Sequence, residues 1–142
     1  MKFTRALFLA SSLAFFACGD DESSTGPSND TADCSVTDGV KVVSPKGGET
    51  FKVGETIKVV FGSDMDFGGF GVELRFDEGA KKVSLLEESI DDAKIDGKTC
   101  NEYSIKLDAE LGVVAADDAY IYVYPYSKQS KAGKSGTFKV KE

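Results

Sequence analysis

From Val40 onward the apolar side chains recur at every second position, in short runs closed by glycine, proline and acidic turn residues. This period places successive side chains on opposite faces of an extended chain, whereas a helix needs a spacing of three to four. The runs are Val40 and Val42; Ile57, Val59 and Phe61; Phe70, Val72, Leu74 and Phe76; Val83 and Leu85; Tyr103, Ile105 and Leu107; Ala119, Ile121 and Val123; and Phe138 and Val140. They predict seven strands in about a hundred residues, and only a single helical turn, at 108–112, interrupts them. Strands that are apolar on one face need a second sheet to cover that face, so the pattern implies two packed antiparallel sheets.

The segment Ser44-Pro45-Lys46-Gly47-Gly48-Glu49-Thr50-Phe51, with Val53-Gly54-Glu55-Thr56-Ile57 and the alternation through Phe61, resembles the opening of an immunoglobulin-like domain of bacterial secreted proteins. It is similar to the amino-terminal domain of yeast cell-wall glucan-assembly proteins and of Ser/Thr-rich anchored wall proteins. Tyr103 to Leu107, the Ala119-x-Ile121-x-Val123 alternation and the closing Gly136-Thr137-Phe138-x-Val140 extend the likeness, with Phe61 where a Trp is common and Ala119 where a Tyr is usual. The resemblance implies an immunoglobulin-like antiparallel β-sandwich of about seven strands, over 35–142, at a cell surface. It implies no activity, because such domains serve as spacers, adhesion modules and appendages of enzymes.

The amino terminus has a different character. Lys2 and Arg5 precede an apolar run from Ala6 to Ala17, broken only by Ser11 and Ser12. Twelve helical residues reach about 18 Å, short of a bilayer core of about 30 Å, which fits a cleaved signal peptide over 1–17. The run ends in Phe15-Phe16-Ala17-Cys18, which resembles the lipobox of bacterial lipoproteins and implies cleavage before Cys18, with palmitate-type acyl chains on that cysteine. Cleavage after Ala14, with Ser12 and Ala14 as the small pair, would instead release a soluble secreted protein. Several acyl chains make anchoring effectively permanent, at about 0.8 kcal/mol for each buried methylene. Gly19 stands where an Asp is associated with inner-membrane retention, and Asp20, Asp21 and Glu22 look like the surface-export signals of some phyla. The expected location is therefore the outer membrane, facing outward. From Gly19 to Asp33 the only apolar side chain is Ala32, so 18–34 reads as an acidic tether that would hold the domain about 20 Å from the lipid.

The formal charge is −7, and without Lys2 and Arg5, the only charges in positions 1–17, the chain has 15 basic against 24 acidic residues, or −9. Such an excess repels phosphate backbones, so no nucleic-acid partner is expected. Lys128, Lys131 and Lys134 form the only basic cluster, in a polar run from Ser127 to Ser135 that reads as a solvated hairpin loop. Three cysteines are present. With Cys18 lipidated, Cys34 and Cys100 remain to form a disulfide in an oxidising compartment.

The absence of histidine removes the Ser-His-Asp and Cys-His nucleophile arrangements and the usual His-containing zinc sites. Gly68-Gly69-Phe70-Gly71 lacks the Lys-Ser/Thr of a phosphate loop and reads as a turn entering a strand. The paired carboxylates are Asp64 with Asp66, Asp91 with Asp92, and Asp117 with Asp118, and neighbours on turns define no catalytic cleft. Asp64 and Asp66 are the calcium candidates, although an EF-hand would need ligands where Gly68 and Arg75 stand.

The remaining feature is Tyr120, Tyr122 and Tyr124. If Ala119, Ile121 and Val123 face the core, the three rings line the opposite face at about 6.6 Å intervals. Such a row suits contact with sugar rings or a protein partner, and would equally serve as a ladder packed against Lys and Thr stems. The expectation is a monomeric, non-catalytic, cofactor-free surface module for adhesion or envelope assembly, held in the membrane by its lipid. Carbohydrate binding through the same tyrosines is the alternative.

Overall fold

A computed structural model describes residues 32–65 and 68–142. The expected signal peptide, Cys18, most of the tether and Asp66 lie outside the described residues. Nine strands form the compact unit Ala32–Glu142: β1 (Val40–Ser44), β2 (Thr50–Lys52), β3 (Thr56–Ser63), β4 (Phe70–Phe76), β5 (Lys81–Ser84), β6 (Asn101–Lys106), β7 (Ala116–Pro125), β8 (Gly133–Lys134) and β9 (Phe138–Lys141). The smaller sheet has the order β1-β3-β6. The larger runs β2-β9-β7-β4-β5, with β8 also paired to β7.

This is the immunoglobulin-like sandwich, with two corrections. Seven of the strands fall on the alternating runs, and β2 and β8 are additional. The sheets are also not wholly antiparallel, because β2 pairs with β9 in parallel. The reason lies between β1 and β2. The chain pairs with β3 as β1, leaves the small sheet at Ser44, and joins the edge of the large sheet as β2. The crossing is the Ser44–Thr50 motif. The Ser44–Pro45 peptide is cis, Gly47 and Gly48 have φ of 116° and 90°, and the Glu49 carboxylate accepts the Lys46 and Gly47 N–H groups at 2.8 and 2.7 Å. A side chain on Gly47 would meet Gly136, so the glycine supplies both the left-handed turn and the close approach.

The alternating residues pack the interior. Val59, Phe61, Leu74, Leu107, Ala119, Ile121 and Val123 are all fully buried between the sheets. A ring contact helps to close the two sheets, Phe61 of β3 lying 5.3 Å from Phe70 of β4, and within the large sheet Phe51 of β2 meets Phe138 of β9 edge to face at 5.2 Å. The second half of β3 is buried on both faces because the segment entering the domain covers its outer side. A Cβ on Gly62 would lie 2.2 Å from the Cys34 carbonyl oxygen, and Cys34 itself is 1 % exposed. Cys34 and Cys100 are joined by a disulfide with Cα atoms 5.2 Å apart.

Between β5 and β6 the chain crosses the open side without a strand. It is held by a backbone bridge, in which Ile90 and Phe70 exchange N–H···O bonds of 2.9 and 3.0 Å, and by the Asn101 carboxamide, which accepts the Lys94 N–H at 2.7 Å and donates to the Lys94 carbonyl at 3.0 Å. The helical turn expected at 108–112 is present as a 3-10 turn at Ala109–Leu111, capped by the Asp108 side chain and ended by Gly112 in the left-handed conformation.

Candidate functional site

The outer face of the large sheet is built by the strands that bury its inner face. With Ala119, Ile121 and Val123 in the core, Tyr120, Tyr122 and Tyr124 point outward from β7. Tyr126, just beyond Pro125, continues the two-residue spacing and is 43 % exposed. Neighbouring rings touch, with centroids 5.8 Å apart for Tyr122 and Tyr124 and 5.4 Å for Tyr124 and Tyr126.

The row is not a bare stacking platform. Tyr120 and Tyr122 are half-buried and Tyr124 is buried. The Tyr124 ring lies across Gly71, its partner on β4, where a Cβ would sit 2.4 Å from the ring. A glycine inside a strand thus makes room for a cross-strand aromatic. The Arg75 guanidinium sits 3.5 Å from the Tyr122 ring centroid while its NH2 group donates to Glu73 at 2.8 Å. Lys134, opposite Tyr122 on β8, places its ammonium 5.5 Å from the Tyr120 ring centroid. These cation–ring contacts make the face cationic as well as aromatic.

The other candidates serve the scaffold. Both carboxylate oxygens of Asp64 accept backbone amides, from Asp38 at 2.6 Å and Gly39 at 3.0 Å. Its calcium partner Asp66 is outside the described residues, and among those described no three metal-ligating groups converge. Asp118 accepts the Asp77 and Glu78 amides at 3.0 and 2.8 Å, holding the β4–β5 turn in which both residues have positive φ. Asp91 accepts from the Ser89 hydroxyl and Asp92 from the Tyr103 hydroxyl, at 2.7 and 2.8 Å. The lysine cluster disperses, because Lys131 pairs with Asp38 while Lys134 turns to the tyrosines.

Amide and hydroxyl donors favour the charged form of a carboxylate. The Asp64 and Asp118 carboxyls are held below the usual 3.8, by the Asp38 and Gly39 amides and by the Glu78 and Asp77 amides respectively. Asp96 falls to about 2, chiefly through the Thr99 hydroxyl and then the Thr99 and Lys98 amides. Folded values below unfolded ones mean that the stability these groups contribute is complete above the unfolded pKa and lost as pH falls through the folded one. Urea midpoints are therefore expected to drop between pH 3.8 and about 2, and an Asp64→Asn/Asp96→Asn/Asp118→Asn variant to drop less steeply. Identical slopes would exclude these groups as the cause.

No family model matches this chain, and no curated protein matches it.

Proposed function

We propose that the chain is a non-catalytic module, held at a bacterial cell surface by lipid on Cys18, that works through the outer face of its larger sheet. The observation that carries this reading is that face: a row of four tyrosines joined by Arg75 and Lys134 through ring-to-ring and cation-to-ring contacts. Aromatic side chains held in place by their neighbours suit contact with another molecule at low entropic cost. A non-catalytic role is supported by the carboxylates, since Asp64, Asp91, Asp92 and Asp118 are each engaged by a backbone amide or a hydroxyl of the scaffold.

The membrane part of the proposal rests on the lipobox resemblance and on the cysteine pairing. A Cys34–Cys100 bridge leaves Cys18 as the third cysteine, and a disulfide suits an exported protein. In cells fed an alkyne palmitate analogue, the wild-type protein is expected to be labelled and to sediment with outer membranes. Cys18→Ser should lose the label, and a labelled Cys18→Ser protein would sink the anchor. For the contact face, a photo-cross-linking residue at position 126 should give adducts on intact cells while one at position 58, on the small sheet, should not. Adducts at both or neither would refute the face.

Carbohydrate binding is the second reading. The same face favours it, as none of three surface hollows, at Gly69 and Ile90, at Leu86 and Leu111, and at Phe76 and Val114, contains a tyrosine of the row.

A further inference from the structure

The two sheets differ in how their lysines are neutralised. On the small sheet Lys41 lies 3.7 Å from Asp33, Lys58 3.1 Å from Glu102, and Lys106 3.6 Å from Asp108, so every strand lysine there has a carboxylate beside it. On the large sheet the alternation sends Lys52 of β2, Lys82 of β5, Lys134 of β8, and Lys139 and Lys141 of β9 outward with the tyrosines, because Phe51, Val83, Gly133, Phe138 and Val140 take the inward positions. Among the described residues, none of these five lysines is in an ion pair.

Three acidic residues of β4 and β7 share that face; Asp117, exposed at the bulge opposite Lys139, is in no ion pair among the described residues, and the other two are already engaged. Glu73 holds Arg75, and Asp118 holds the Asp77 and Glu78 amides. A chain with an excess of acidic residues thus concentrates five lysines outside any ion pair, against the one unengaged carboxylate of Asp117, on one face.

Register fixes the layout. Lys82 is opposite Arg75, Arg75 opposite Tyr120, Tyr122 opposite Lys134, and Lys141 opposite Lys52. With strands about 4.8 Å apart and outward residues about 6.6 Å apart along each, Arg75 with Lys82 and Lys134 flank the tyrosine row on its two sides, while Lys139, and then Lys141 with Lys52, continue the cations past its Tyr120 end.

We propose that this face binds a linear polysaccharide bearing repeated carboxylates, a polyuronate in chemical class. The inference rests on the surface-module reading above and names its partner. Two observations select this occupant. Arg75 covers the Tyr122 ring and Tyr124 is buried, so the middle of the row has little ring face left for a neutral sugar to stack on, and of the four tyrosines only Tyr126 is exposed. None of the three surface hollows takes in a tyrosine of the row, so none sets a socket among the rings for the anchoring side chain around which protein contacts are organised. What it offers is spaced ammonium groups with tyrosine edges and hydroxyls between them, which match a flat chain of alternating carboxylates and hydroxyls.

The test is retention of the full-length chain, in detergent, on immobilised polygalacturonate, on a neutral glucan and on single-stranded DNA. Binding to polygalacturonate is expected to weaken on the order of tenfold or more between about 50 and 200 mM NaCl, as a few ammonium contacts require. Lys82→Ala/Lys134→Ala/Lys139→Ala is expected to bind at least about tenfold more weakly, whereas Lys41→Ala/Lys58→Ala/Lys106→Ala, with the same change in net charge, should stay within about twofold. Circular dichroism checks that both variants are folded. Equal losses in the two variants, equal retention on the neutral glucan, tighter retention on DNA, or no retention on any polymer would each overturn the inference. Cross-linking at position 126 separates the two failures: adducts without polymer binding sink the polyuronate alone, and neither adducts nor binding sinks the module reading too.

Discussion

Replacing Cys34 and Cys100 together by serine is expected to lower the stability of the folded domain by about 4 kcal/mol on the chain-entropy account. The bridge spans 66 positions of sequence, so its loss frees most of the domain's chain in the unfolded state while removing few native contacts. What it fastens is specific. The entering segment lies over Gly62 of β3, the Val36 N–H donates to the Gly97 carbonyl at 3.1 Å, and the Gly97 N–H donates to the Ser63 carbonyl at 3.0 Å. Without the bridge, the segment is held over an otherwise buried strand end by that bond to Gly97 and by the Asp38 and Gly39 amides on the Asp64 carboxylate. For a domain of this size the loss corresponds to a fall in Tm of about 15 °C. Thermal unfolding with and without reductant, beside the double serine variant, measures it. A shift of only a few degrees would show that the hydrogen bonds suffice and that the bridge constrains little.

How much of this could be read in the sequence depended on the range of the interaction involved. Alternation located seven strands and their inward faces, because burial of one face leaves a period of two wherever a strand is long enough to display it. β2 and β8 contain three and two residues and cannot display it. The parallel pairing of β2 was illegible for another reason, since it depends on where the chain lands after leaving the small sheet. The outward phase of Tyr120, Tyr122 and Tyr124 followed directly from Ala119, Ile121 and Val123. The burial of Tyr124 did not, because it requires Gly71 to be opposite, which only the β4–β7 register shows. Tyr126 carried the same two-residue signal and was missed because Pro125 marked the end of the strand. The carboxylates divide in the same way. Asp96 grips Lys98 and Thr99, within its own turn, whereas Asp64 and Asp118 grip backbone 26 and 41 positions away, so that in the sequence Asp64 looked like a calcium ligand and Asp118 like one of a carboxylate pair. The sidedness of the lysines required both sheets at once.

Phe61→Ala is expected to cost about 4 kcal/mol, in the range of large-to-small changes at fully buried aromatic positions. Phe61 is 0 % exposed, and its ring lies 5.3 Å from Phe70 on the opposite sheet and 6.0 Å from Tyr103 on its own. It is the piece that joins the layers at this level, so truncation leaves a cavity between sheets whose backbones are pinned by their own ladders and cannot collapse to fill it. Phe61→Leu, which retains most of the volume, should cost a fraction of this, and urea unfolding with an unchanged m value would mark both as losses of native packing. Tyr103 supplies a local readout. Its hydroxyl is pushed up to about 12, first by burial and then by its hydrogen bond to Asp92. Removing the stacked Phe61 ring admits solvent beside it, so the phenol should titrate closer to its ordinary value of 10.0 in Phe61→Ala, followed by absorbance. A stability loss with no movement of that titration would place the cavity on the Phe70 side. A loss below about 1 kcal/mol would mean that the sheets close over the space, and that the ladders are more compliant than their register suggests.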